Sequence, residues 1–157
     1  MGSIPPTLGN LKMATQFYFN FNRITGSIPS EIGECISLKN LNLDDNFLTG
    51  TIPTEMGLLE ALQGLKLSRN KLTGSIPSHL GNCKSLTHLL VQTNNGMKGE
   101  IPGELGNLSN LEEFSFGSTG FTGMIPDEIC ALTDLKLEKL TGIYYESCRC
   151  CTAWISL

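Results

Sequence analysis

Apolar residues along this chain alternate as they would in a strand, break off at an asparagine, and then start again about 24 positions later. The fullest copies are Leu38-x-x-Leu41-x-Leu43-x-x-Asn46-x-Leu48-x-Gly50 and Leu62-x-x-Leu65-x-Leu67-x-x-Asn70-x-Leu72-x-Gly74. Ala14, Phe17, Phe19, Asn22 and Ile24 fill the same positions earlier in the chain, and Leu111, Phe114, Phe116, Thr119 and Phe121 fill them later. Each copy runs into Gly-x-Ile-Pro, which begins at Gly2, Gly26, Gly50, Gly74, Gly99 and Gly123, at intervals of 24, 24, 24, 25 and 24. Fixed-period self-similarity of this kind is the mark of a stacked repeat.

Leu-x-Leu places both leucines on one side of a short strand and the residue between them on the other. One such coil has no interior, but stacking lines up Leu41, Leu65, Leu89 and Phe114 in one column and Leu43, Leu67, Val91 and Phe116 in the next. Burying each of these side chains is worth roughly 1.5–3 kcal/mol, so the core exists only when turns cover one another. Asn22, Asn46, Asn70 and Asn94 stand where the chain turns inward, and their carboxamides are predicted to form a ladder of bonds to neighbouring main chain. After each Gly-x-Ile-Pro, runs such as Pro29-Ser30-Glu31-Ile32-Gly33 read as one short helical turn, with proline near its start and glycine at its end.

Leu-x-x-Leu-x-Leu-x-x-Asn-x-Leu-x-Gly-x-Ile-Pro resembles the plant-type leucine-rich repeat, over roughly residues 2 to 129. The resemblance implies an α/β repeat solenoid: a right-handed horseshoe with a short parallel concave sheet and a convex side of short 3-10 or helical turns. It also implies extracellular or cell-surface recognition of a protein, peptide or glycan, as in receptor kinases, receptor-like proteins and inhibitors of wall-degrading enzymes. The alternative is a structural or adhesive surface protein that has no dedicated ligand. Residues 1–129 form the repeats and 130–157 a cysteine-containing cap. The tail from Leu140 to Thr152 resembles the cysteine-rich cap of surface leucine-rich repeat proteins from diatoms and related algae, with Tyr144 and Trp154 where that cap usually has cysteines.

Composition narrows the partners. A formal net charge of -4, with 11 Lys and Arg scattered along 157 residues, gives no basic field for nucleic acid. No apolar run is long enough to cross a bilayer, and no signal segment stands at the start. The chain opens in mid-repeat, so Ile4, Leu8 and Leu11 are expected to be exposed, or else the chain is part of a longer one. Of six cysteines, Cys35 and Cys83 share an inward column with Leu59 and Leu108 and read as buried thiols. Cys130 with Cys148, Cys150 and Cys151 reads as a disulfide-stapled cap, since Cys-x-Cys-Cys is too tight for ordinary zinc spacing and has no histidine. Asn107-Leu108-Ser109 is a glycosylation sequon that matters only if the chain is secreted.

The residues flanking the inward leucines are predicted to face outward in columns across the concave sheet. The columns are Gln16, Asn40, Gly64, His88, Glu113; Tyr18, Asn42, Lys66, Leu90, Ser115; Asn20, Asp44, Ser68, Gln92, Gly117; and Phe21, Asp45, Arg69, Thr93, Ser118. Aromatic and mixed polar side chains of this sort suit ligand recognition. The binding candidates are Tyr18, Asn20, Phe21, Asn40, Asn42, Asp44, Asp45, Lys66, Arg69, His88, Leu90, Gln92, Glu113 and Ser115. Between Asn94 and Gly99 the pair Asn95-Gly96 adds one residue, read as a bulge or as a small protrusion beside that surface. No cofactor, metal or catalysis is expected: His79 falls in a column otherwise held by Glu31, Glu55 and Glu104, and His88 has no acidic partner at fixed spacing in the chain.

Overall fold

The computed structural model describes residues 2–135 and the strand Leu140–Thr141. Two sets of strands alternate along the chain. One set is β2 (Gln16–Tyr18), β4 (Asn40–Asn42), β6 (Gly64–Lys66), β8 (His88–Leu90), β10 (Glu113–Ser115) and β12 (Leu140–Thr141). These form a parallel six-stranded sheet in the order β12-β10-β8-β6-β4-β2, the concave wall of the solenoid. The register pairs Phe17 with Leu41, Leu41 with Leu65, Leu65 with Leu89, Leu89 with Phe114 and Phe114 with Leu140, so the apolar column of the sequence is a column in space.

The other set is β1 (Gly2–Ser3), β3 (Ile24–Ser27), β5 (Phe47–Thr49), β7 (Thr73–Gly74), β9 (Asn94–Gly99) and β11 (Thr119–Phe121), also parallel. Backbone bonds from Lys71 N–H to Leu48 O and from Thr73 N–H to Gly50 O, both 2.8 Å, carry this side sheet across from β5 to β7. The sequence pattern did not predict it, because only Phe47-Leu48-Thr49 and its copies alternate, over three residues.

Short 3-10 turns at Pro6–Asn10, Ser30–Glu34, Thr54–Leu58, Ser78–Asn82 and Gly103–Asn107, followed by the helical turn α1 (Asp127–Cys130), form the convex side. Each follows a proline held extended, as Pro29 is at φ -69 and ψ 139, because the ring fixes φ and delays the helix by one residue. Successive turns approach closely at Gly9, Gly33, Gly57, Gly81 and Gly106, where a β-carbon would run into the main chain or β-carbon of the next turn.

A single apolar core fills the interior, with Leu41, Leu43, Leu65, Leu67, Leu89 and Phe114 fully buried. Ile4, expected to be exposed unless the chain is part of a longer one, is buried in the inward column of Ile28, Ile52, Ile76, Ile101 and Ile125. Leu8 is half-buried, whereas Leu11 is 51% exposed and Met13 84%.

The asparagine ladder runs through Asn46, Asn70 and Asn94. Asn70 donates to Leu43 O at 2.9 Å, and to Leu67 O and Ser68 O, while its side-chain oxygen accepts from Leu48 N–H at 3.0 Å. Asn46 and Asn94 repeat this arrangement one turn either side. Asn22 is a correction: it is exposed and bonds only Phe19 O and Asn20 O in its own loop. The ladder works by reaching back to the preceding turn's main chain, and Asn22 has no such turn behind it among the described residues. Thr119 ends the column, donating to Phe116 O at 2.6 Å.

The extra residue of the fourth turn is absorbed in the side sheet, where the register shifts between Thr119 and Gly120. Met97, fully buried, takes the inward place held by Leu72 one turn earlier, and Gly96 passes close beneath Leu72 O. The insertion is therefore a bulge.

Cys35 and Cys83 are buried free thiols, donating to Leu8 O at 3.4 Å and Met56 O at 3.2 Å. Burial pushes the Cys83 thiol up to about 11, and burial together with the charge of Glu34 raises that of Cys35. Both are expected to resist iodoacetamide at pH 8 in the native chain and to alkylate after unfolding in urea, read by mass spectrometry. Cys148, Cys150 and Cys151 lie outside the described residues. Cys130, half-buried, ends α1 in the column of Gly33, Gly57, Gly81 and Gly106.

Candidate functional site

The outward residues of the concave sheet are held by its strands at about 4.8 Å spacing between turns. Where each strand leaves the sheet, Phe21, Asp45, Arg69, Thr93 and Ser118 all adopt positive φ, between 52 and 58°. That conformation is unfavourable for residues with a β-carbon and most unfavourable for a β-branched one. Thr93→Asn is accordingly expected to stabilise the chain by about 1 kcal/mol, read by urea unfolding.

Tyr18 and Phe21 are the most exposed aromatics of this face, at 58 and 73%. Asn20, Asn40, Asn42, Asp44, Asp45, Lys66, Leu90, Gln92, His88 and Glu113 are partly exposed beside them, and Arg69 is exposed. Ser115 is a correction: it is only 6% exposed, so it offers little surface. Ser68, in the column of Asp44 and Gln92, is fully buried.

The charges on this face are arranged in pairs. Arg69 grips Asp45 with two bonds, Nε to Oδ1 at 2.6 Å and Nη2 to Oδ2 at 2.5 Å, and this holds the Asp45 carboxyl below the usual carboxylate range and raises the guanidinium. Asp44 differs. Its Oδ1 accepts from Ser68 N–H at 2.6 Å, and burial pushes its carboxyl above the ordinary value against the pull of Ser68, Arg69 and Lys66. Asn42 Oδ1 accepts from Asp44 N–H at 3.1 Å, which ties the two columns together.

His88 does have an acidic neighbour, one turn on. Its Nε2 lies 3.8 Å from Glu113 Oε2, and its Nδ1 lies 2.7 Å from Thr87 Oγ1. Thr87 also donates its hydroxyl proton to Gln63 O at 2.9 Å, so it is not poised as a nucleophile. His79 is exposed on the convex 3-10 turn. Among the described residues, no group of three or more His, Cys, Asp or Glu side chains is placed to hold a metal, and no helix is long and apolar enough to cross a membrane.

Residues 36–95 match the leucine-rich repeat family model. Among solved structures, the chain is similar to the plant peptide hormone receptor RGFR1 in complex with RGF2, at 36% identity and a TM-score of 0.83 over 85% of this chain and 21% of that one. It is also similar to the ectodomain of the Arabidopsis receptor kinase HAESA in complex with an IDA peptide hormone, at 31% identity and a TM-score of 0.80 over 91% of this chain and 24% of that one. A plant ice-binding protein matches at 32% identity and a TM-score of 0.78 over 84% of this chain and 43% of that one. The chain thus spans about a fifth to a quarter of the length of the two receptor chains. No curated protein matches it by sequence. With this repeat, these paired sheets and these likenesses, the chain is a leucine-rich repeat solenoid, similar in fold to those of plant receptor ectodomains.

Proposed function

We propose that the chain is a recognition module that binds a protein or peptide on its concave sheet and does not act by catalysis. The observation that carries this reading is the placing of Tyr18 and Phe21, large and exposed at 58 and 73%, beside Asp44, Asp45, Lys66 and Arg69 on one wall. Aromatic and arginine side chains clustered in this way dominate binding energy where partners dock. The likeness to receptors solved with the peptide hormones RGF2 and IDA supports a peptide as the ligand. We place the module outside the cell or at its surface, with Asn107, exposed at the end of its 3-10 turn, as a glycan acceptor. Cys130 joined to one of Cys148, Cys150 and Cys151 would staple residues 130–157 as a cap. Pull-down from extracellular extract, with Tyr18→Ala and Arg69→Ala as controls, tests the reading. A partner lost with either variant supports it, and partners indifferent to both would favour a structural or adhesive role.

A second reading rests on the side sheet. Thr25, Thr73 and Thr122 donate their hydroxyls to Gly2 O, Gly50 O and Gly99 O, at 3.4, 3.2 and 3.4 Å. Thr49 holds the same position of its own repeat, and Lys98 holds it in the fourth turn. Hydroxyls fixed once per turn in this way, together with the likeness to a plant ice-binding protein, favour binding of ordered water. Thermal hysteresis of the native chain that Thr49→Lys abolishes would establish this reading, and its absence from the native chain would remove it.

A further inference from the structure

Two pairs of side chains on the concave sheet lie within ion-pair distance, Arg69 with Asp45 and His88 with Glu113, and Asp44 is in neither. Among the described residues no Lys, Arg or His nitrogen pairs with its carboxylate within 4.0 Å, although the residue is half-buried. Two further oxygens sit in the same column. Ser68 Oγ is buried in a fully buried residue and its hydroxyl pulls on the Asp44 carboxylate, while Gln92 Oε1 is buried in a half-exposed residue and has no hydrogen-bond partner. A buried oxygen without a partner is costly, a cost that a donor arriving from outside removes when Gln92 turns to meet it.

The opposite side of Asp44 is aromatic. Phe21 N–H donates to Asp44 O at 3.0 Å and Tyr18 pairs in register with Asn42, so both residues stand on the turn beside that of the carboxylate. A carboxylate short of a counter-ion, acceptor oxygens on one side and exposed aromatic faces on the other are all complementary to a group that is cationic and rich in N–H donors. A guanidinium, flat and with five donors in a fork, meets all three at once.

Resting on the reading of the concave sheet as a peptide-binding surface, we propose that the stretch centred on Asp44, between Tyr18 and Phe21 on one side and Ser68 and Gln92 on the other, seats a basic side chain of an extended peptide. Asp44 supplies the opposing charge, the aromatic pair covers the cation's face, and Gln92 accepts its outer N–H. Lys66, one turn on, opposes this binding and restricts the site to a single basic residue, with the ligand's next position neutral or acidic.

The test is panning of a random dodecapeptide display library on the whole chain, followed by titration of the synthetic peptides recovered. The account expects Arg or Lys enriched at one fixed position. It also expects affinity to fall about tenfold with Asp44→Asn, which keeps the oxygen that accepts from Ser68 N–H, and by a like factor when the peptide's arginine is replaced by citrulline. Lys66→Gln is expected to tighten binding. Circular dichroism confirms that each variant is folded, and the citrulline arm needs no variant at all. Peptides that lose binding in Leu90→Glu, and so lie on the concave sheet, but carry no fixed basic position or ignore Asp44→Asn, would overturn this site and leave peptide recognition standing. Recovery of no peptide that Leu90→Glu weakens would overturn both.

Discussion

Asn70→Ala lowers the unfolding free energy by about 3 kcal/mol, while Asn22→Ala, at the same position of its own repeat, costs less than about 1 kcal/mol. The difference follows from where the bonds go. Asn70 is 8% exposed, and its side-chain oxygen is the acceptor for the buried Leu48 N–H, reaching across to the preceding turn. Removing it leaves that N–H without a partner in the interior, and the three carbonyls it serves each lose a donor. The bonds of Asn22 are exposed and stay within its loop, so water replaces them. Urea unfolding of both variants beside the native chain measures the contrast, and equal losses would remove the ladder from the account.

Gly57→Ala is the second large effect, a loss of about 3 kcal/mol, at the upper end of what overpacking costs. The added methyl would run into His79 O and the His79 β-carbon on the next convex turn, and neither is the yielding end of a flexible side chain. The two turns must then part, which loosens the core beneath Met56 and Leu80, both fully buried. Gly2→Ala is the control, since nothing lies within 4 Å of a β-carbon there. Thermal unfolding followed by circular dichroism separates the two: the melting point drops in the first and holds in the second.

How much of this was legible in the chain follows from the range of each signal. The concave strands and the convex turns were readable because Leu41-x-Leu43 and Pro-x-x-x-Gly recur at one period, and stacking converts period into columns. The side sheet was not, because it is held by main-chain bonds such as Thr73 N–H to Gly50 O, which leave little mark on side-chain choice. Ile4 belongs to the same inward column as Ile28, so the repeat pattern itself places it inside. Counting outward positions along a strand gives a direction and not an exposure, and Ser115 is only 6% exposed.

The candidate site was legible as columns and illegible as pairings. His88 and Glu113 fall in one column, yet a search for an acid at fixed spacing along the chain passes over a partner 25 residues away that stacking brings to 3.8 Å. The same holds for Asp45 with Arg69, and for Asp44 with Ser68, each 24 residues apart. In a stacked repeat the neighbour that decides a side chain's chemistry is one period away, and reading down the columns is what finds it.

Site-specific photo-crosslinking tests the central claim most directly. A benzophenone side chain at Tyr18 or Leu90 reports from the concave sheet, and one at Ile36 or Leu58, exposed at 63 and 62%, reports from elsewhere on the solenoid. Incubated with native extracellular extract and irradiated, the first two are predicted to trap one discrete partner band that the last two do not. A band captured equally at all four positions, or only at Ile36 and Leu58, would contradict recognition by the concave sheet.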